Sequence, residues 1–287
     1  MNRLVMKKWL NGVLAYGWEW GFALSGRIAA RTPAHWSSSG RERVLVLAPH
    51  PDDEVIGCAG TMCHHRQAGD AVWVMVATDG RQSRAGGLGM AEMIARRRAE
   101  SQAAAAVLGV DKLVLAGLPE GEWAIGDLVA GLQRLFGQFQ PTLMYAPSRV
   151  DYHPEHWRVA HALALALPAG AAVRVYQVHV PLTGLLTNLV ADTSGVSGRV
   201  AQAFAAYASQ RETLARSFRL RRYAACYYRL ERHGEVFWQL PAGDYQRLHR
   251  SRPEQWPPRF RSLRPHALYD PLAYLAGRTE RKGMGGK

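Results

Sequence analysis

Two rhythms of apolar residues alternate along this chain. Short unbroken runs, near residues 43–49, 71–78, 112–116, 141–146 and 172–179, are rich in Val, Leu and Ala and do not alternate with polar residues. Such runs are expected of strands buried on both faces of a parallel sheet. Between them lie longer stretches with helical spacing, near 54–69, 90–109, 125–138, 155–167 and 197–215. Strand and helix in regular succession predict an α/β chain: three layers, a parallel sheet with helices on both faces. Residues 226–240, CYYRLERHGEVFWQL, break the rhythm and predict a hairpin turning at His233-Gly234. No internal repeat is present.

The first strand runs directly into chemistry. Residues 44–57 read VLVLAPHPDDEVIG, so an imidazole and three carboxylates, His50, Asp52, Asp53 and Glu54, crowd the end of a central strand. Pro51 fixes φ as the chain leaves the strand, and Asp52 or Asp53 can cap the helix that follows. Open α/β sheets place their sites at the carboxyl ends of strands. Buried acids need a neutralising partner; the nearest basic residues in sequence, Arg41 and Arg43, sit at the other end of the strand. A divalent metal answers that need. A second cluster, SRVDYHPEHWRVAHA over 148–162, follows another predicted strand. His153 and His156 stand three apart at a helix start, on one face of its first turn. His50, Asp53 and one of His153 or His156 would form a three-ligand site with a position open to water, the arrangement of catalytic zinc.

These residues carry a resemblance to the PIG-L/LmbE-like family of metal-dependent N-acetyl-sugar deacetylases. Its A-H-P-D-D-E motif stands here as Ala48-Pro49-His50-Pro51-Asp52-Asp53-Glu54, with Pro49 added. Its H-P-D-H motif is His153-Pro154-Glu155-His156, with Glu155 for Asp. Weaker matches keep the family order: Thr78-Asp79-Gly80, Arg97-Arg98-Ala99-Glu100, Leu118-Pro119-Glu120-Gly121 and Tyr207-Ala208-Ser209-Gln210. The resemblance covers roughly residues 42–240. It implies a Rossmann-like fold and zinc or a similar divalent ion held by His50, Asp53 and His156. It implies Asp52 as general base acting on a metal-bound water, His153 as a second catalytic residue, and Arg97 and Glu120 near the sugar. The implied reaction removes acetyl from an N-acetylglucosamine-type glycoconjugate. The alternatives are a hydrolase of the same fold acting on a non-sugar amide or ester, and a non-catalytic glycan-binding or membrane-surface module.

Composition refines this picture. At 287 residues, with 48% hydrophobic and 21% charged, the chain suits one large α/β domain with extensions. The domain is expected over 41–245, between an aromatic, basic extension and linker (1–40) and a basic C-terminal extension (246–287). The three cysteines, Cys58, Cys63 and Cys226, lack metal-site spacing, and Cys58 and Cys63 read as small core residues of a reducing, cytoplasmic compartment. Net charge is +13. From Arg211 onward there are 17 Lys and Arg against 7 Asp and Glu. Such a surface suits an anionic membrane, a sugar phosphate or nucleic acid, yet no nucleic-acid-reading motif is present. Residues 1–31 carry Trp9, Trp18, Trp20 and Phe22 among Lys7, Lys8 and Arg27, with Glu19 interrupting the apolar run. That pattern reads as an interfacial amphipathic helix, at the inner face of a membrane, or as a helix packed on the domain or between subunits. Residues 81–89, RQSRAGGLG, read as a flexible lid without phosphate-loop spacing, and the Gly- and Lys-rich 278–287 as a disordered end.

Overall fold

The structure is a computed structural model. It describes residues 33–83, 87–151, 153–178, 182 and 186–251, preceded by Val13, Gly17, Glu19, Trp20, Gly21, Ala23 and Leu24. Most of the aromatic extension, part of the expected lid and the end of the chain lie outside these residues. None of the described helices is long and apolar enough to cross a membrane.

The sheet begins with a short edge strand, β1 (Ala34–His35), inside the segment read as linker. The alternating unit follows: β2 (Arg43–Ala48), α1 (Asp53–Ala68), β3 (Ala71–Thr78), α2 (Met90–Leu108), β4 (Lys112–Leu118), α3 (Ile125–Phe139), β5 (Leu143–Ala146), α4 (Pro154–Ala166) and β6 (Ala172–Tyr176). After it come β7 (Leu189–Asp192), α5 (Ser197–Ala206), α6 (Arg211–Tyr228), β8 (Gly234–Pro241) and α7 (Ala242–His249). The described strands form one eight-stranded sheet of order β1-β7-β8-β6-β5-β2-β3-β4.

β2 explains why the sheet is a buried layer. Leu45 and Leu47 pack into one core with α3 and α4, while Val44, Val46 and Ala48 pack into the other with α1, and all five are fully buried. Covering both faces is what an unbroken apolar run requires. β2 pairs in parallel with β3 on one side and β5 on the other. The chain therefore winds outward from β2 in both directions, and the strand order reverses between β2 and β5. The loops after these two strands carry the two sequence motifs, so both open at the reversal point, where such sheets bind ligands.

The sheet is mixed rather than parallel throughout. β8 runs antiparallel to both β6 and β7. The expected hairpin over 226–240 is not formed: Cys226 to Tyr228 end α6, and Arg229 takes the left-handed conformation (φ 58°) that stops the helix. Strand β8 finds its partners in β6 and β7 instead. Cys58 and Cys63 are buried thiols of α1, as read from the sequence.

Candidate metal centre

The loop after β2 is built around a backbone outlier. Its start is tied down where the Pro49 carbonyl accepts hydrogen bonds from the Thr78 amide (3.0 Å) and hydroxyl (2.8 Å) at the end of β3. Asp52, the N-cap of α1, then has φ 122° and ψ −24°. A non-glycine residue held there costs on the order of 1–3 kcal/mol, a kind of strain that clusters at functional sites. Several contacts hold it. The Asp52 carbonyl accepts from the amides of Val55 (3.0 Å) and Ile56 (2.9 Å). Its amide donates to Glu54 Oε2 at 3.1 Å. Arg97, arriving from α2, donates to the Pro51 carbonyl and stands 3.3 Å from Asp52 Oδ2. Burial raises the Asp52 carboxyl above its usual range, with the Arg97 guanidinium opposing the rise. Beside it, burial pushes Glu54 up to about 7, although the Tyr207 hydroxyl donates to it.

At the next residue after Asp52, a single oxygen meets both motifs. Asp53 Oδ2 lies 3.1 Å from His50 Nδ1 and 3.2 Å from His156 Nε2, and it accepts the His50 amide at 2.9 Å. His50 Nε2 faces Glu120 Oε1 at 3.2 Å, and His156 Nδ1 faces Asp151 Oδ2 at 3.4 Å. His153 caps α4, its Nδ1 accepting from the Glu155 amide at 3.3 Å. Its ring centroid stands 4.6 Å from that of His50 and 5.2 Å from that of His156. Burial disfavours an imidazolium, but the carboxylates overrule it: Asp53 and Glu120 raise His50 to about 9, and Asp53 and Asp151 raise His156 to about 10. Conversely, burial alone would raise Asp53, yet His156 and His50 hold it well below the carboxylate range.

The donor chemistry fits a divalent ion. One ring nitrogen each from His50, His153 and His156 lie within 4.8 Å of one another, and the Asp53 carboxylate touches two of these rings. Imidazole and carboxylate donors suit zinc and its neighbours. The carboxylates behind His50 and His156 match the way metal-bound imidazoles are commonly oriented. Two donor sets share His50 and His156: one is completed by Asp53, as the family resemblance implies, the other by His153.

The structure brings His50, Asp52, Asp53, His153, His156 and Glu120 together. Glu120 is 7% exposed, and its Oε2 accepts from the Gln82 amide at 3.0 Å. Arg97, expected near the sugar, lies beneath Asp52 and is 3% exposed. Sequence reasoning passed over two residues. Asp151 supports His156 from a loop that no helical or strand spacing marks. Trp123 is held by the residue that departs from the family motif: its indole donates to Glu155 Oε2 at 2.5 Å. Arg158 joins the clasp, 3.0 Å from Glu155 Oε1 and stacked 4.2 Å over the Trp123 ring. The loop bearing Glu120 is thus fastened to the helix bearing His156.

Comparison with known proteins finds the same fold elsewhere. The chain is similar to N,N'-diacetylchitobiose deacetylase from Pyrococcus horikoshii, with 24% identity and a TM-score of 0.61 over 70% of this chain and 85% of that one. It is similar to GalB, the 4-carboxy-2-hydroxymuconate hydratase from Pseudomonas putida KT2440, with 19% identity and a TM-score of 0.62 over 69% and 95%. It is also similar to the A40926 pseudoaglycone deacetylase, with 20% identity and a TM-score of 0.58 over 70% and 98%. At these identities the likeness is one of fold. Residues 45–167, from β2 to the end of α4, match the family model described as PIG-L, GlcNAc-PI de-N-acetylase. Both motifs lie inside that stretch, so the match to the PIG-L family model runs through the residues of the candidate site.

Proposed function

We propose that the chain is a divalent-metal-dependent hydrolase that removes acetyl from an N-acetylated amino sugar, of the N-acetylglucosamine type, within a larger glycoconjugate. The observation that supports this most is the meeting of Asp53 with His50 and His156 beside the strained Asp52. In this reading His50, Asp53 and His156 hold the ion, and zinc suits their donor atoms. Bound there, the ion would supply Lewis-acid polarisation of the acetyl oxygen and acidify a water.

The chain's own groups do the rest. Asp52 is the base: Arg97 engages its Oδ2, so the proton of the attacking water goes to Oδ1. The raised affinity of the buried Asp52 for a proton suits that task. His153, half-exposed at the cap of α4, faces the same space and steadies the charge that develops on the acetyl oxygen. The departing amine needs a proton, supplied by Asp52 or His153. Glu120 lies against His50, and in this reading it accepts hydrogen bonds from sugar hydroxyls. Arg97 acts through Asp52 by fixing its backbone and carboxylate.

The likeness to a hydratase favours a second reading, in which the same fold directs water to a carbon other than an acetyl carbonyl. An acetate-release screen over N-acetyl sugars and chito-oligosaccharides, with chelated and metal-restored protein, separates the two. Acetate that appears only with metal supports deacetylation. Metal-replete protein that releases none from any N-acetyl donor overturns it.

A further inference from the structure

α6 is built as a cationic stripe beside an apolar cleft. Arg211, Ala215, Phe218 and Arg222 follow one another at four, three and four residues, so they share one face of the helix. Arg211 and Arg222 are exposed, Arg219 is half-exposed, and Arg229 and Arg232 are exposed just beyond the helix. Alongside, α5 and α6 enclose an open cleft of about 400 Å³ lined by Phe204, Leu214 and Phe218, with Arg211 among its walls.

A second apolar element meets the same face. Glu19 Oε2 pairs with Arg222 at 3.0 Å, which sets Glu19 against α6. Val13, Gly17, Trp20 and Leu24 are all helical and are also spaced four, three and four apart. Val13 is 52% exposed, Trp20 68% and Leu24 61%, the largest apolar exposures there. Gly17 and Gly21 have no neighbouring atom within 4 Å of where a Cβ would stand. Large apolar side chains on an exposed helix face, rimmed by cations, mark an interaction surface.

We propose that Val13, Trp20 and Leu24, together with the arginines of α6 and its end, form a docking surface for an anionic phospholipid bilayer. Charge complementarity selects this occupant. Lipid phosphates match the arginine stripe and the net charge of +13. Trp20 and its apolar companions suit the boundary between headgroups and acyl chains. The proposal stands apart from the catalytic reading, since none of these residues belongs to the metal centre.

The test is flotation of the full-length protein with vesicles of phosphatidylcholine alone or with added phosphatidylglycerol. The protein should float with the anionic vesicles and not with the neutral ones. Salt should weaken binding without abolishing it, because the apolar face adds a term that ions do not screen. Arg229→Glu with Arg232→Glu should lower affinity by about tenfold or more. Trp20→Ala with Leu24→Ala should remove the salt-resistant remainder. Thermal melting and metal content should stay at wild-type values in both variants, which keeps lost binding distinct from lost folding. If a double variant does not fold, the single changes Trp20→Ala and Arg229→Glu carry the same comparison. Equal binding to neutral vesicles, no binding to anionic vesicles at low salt, or displacement from them by single-stranded nucleic acid would each overturn the proposal.

Discussion

Asp53 and His153 are the rival third ligands of the proposed metal centre, beside His50 and His156. Asp53 Oδ2 touches the rings of both His50 and His156, whereas His153 is engaged as the cap of α4. Asp53→Ala is therefore expected to strip the ion. His153→Ala should keep it while turnover falls by about 10²–10⁴-fold, as for loss of an acid–base group. Elemental analysis of the two purified variants decides, and metal lost from His153→Ala alone would exchange their roles. A second residue-scale expectation concerns Glu155. Glu155→Ala leaves the Trp123 indole without its buried acceptor, a loss of about 1–3 kcal/mol. Denaturant melting should register it, with metal content unchanged because Glu155 touches no proposed ligand through its side chain. Much of this centre was legible in sequence, since His50, Asp53, His153 and His156 lie in two short motifs after apolar runs. Other features were not. The φ of Asp52 and the burial of Arg97 depend on how α2 packs against the loop, which no local spacing encodes. Trp123 becomes a partner of Glu155 only when two segments distant in sequence converge, and Asp151 meets His156 only through the fold of its own loop.

α1 carries the first motif, and its placement depends on an absent side chain. A Cβ on Gly60 would stand 2.5 Å from Thr193 and 2.8 Å from the Arg221 guanidinium. Arg221 is itself buried in a pair with Glu235, which also accepts the amides of Gly60 (2.9 Å) and Thr61 (2.7 Å). These contacts fasten α1 to α6, β7 and β8. Gly60→Ala should therefore destabilise the protein by about 1–3 kcal/mol, as overpacking does, despite its better helix propensity. A thermal melt as stable as wild type would contradict the packing described. The alternating strands and helices from β2 to β6 were legible because nearly all of them bury a continuous face; β4, at the sheet edge, is only partly buried but keeps the apolar run. β7 and β8 were not. β7 has only four residues, and β8 pairs with strands that lie far from it in sequence, so the aromatic run before it read as a hairpin arm. Its first three residues in fact complete α6, whose last turn buries Ala224 and Ala225 in the core.

Across the molecule, α7 locks the end of the chain's described part onto the loop that carries Asp151. His249 is fully buried, its Nε2 facing Ser148 Oγ at 3.0 Å and accepting the Arg149 amide at 3.2 Å, while its Nδ1 faces the Tyr245 carbonyl at 2.9 Å. Burial holds its pKa down to about 3. Between that value and the ordinary 6.5, the unfolded chain takes a proton that the folded protein refuses. Stability is thus expected to fall as pH drops from 6.5 toward 3, by about 1.4 kcal/mol per pH unit from this group. His249→Gln should flatten that limb in melts recorded across acid pH. The same sheet order that seats α7 also brings the β2 and β5 loops side by side, and the enzymatic account rests on that juxtaposition. Its most direct test is acetate release from an N-acetylated sugar by metal-loaded wild type and Asp52→Asn, with metal content measured on the same samples. The account predicts full metal in both and turnover about 10²–10⁴-fold lower in the variant. Undiminished acetate release by metal-replete Asp52→Asn would contradict it.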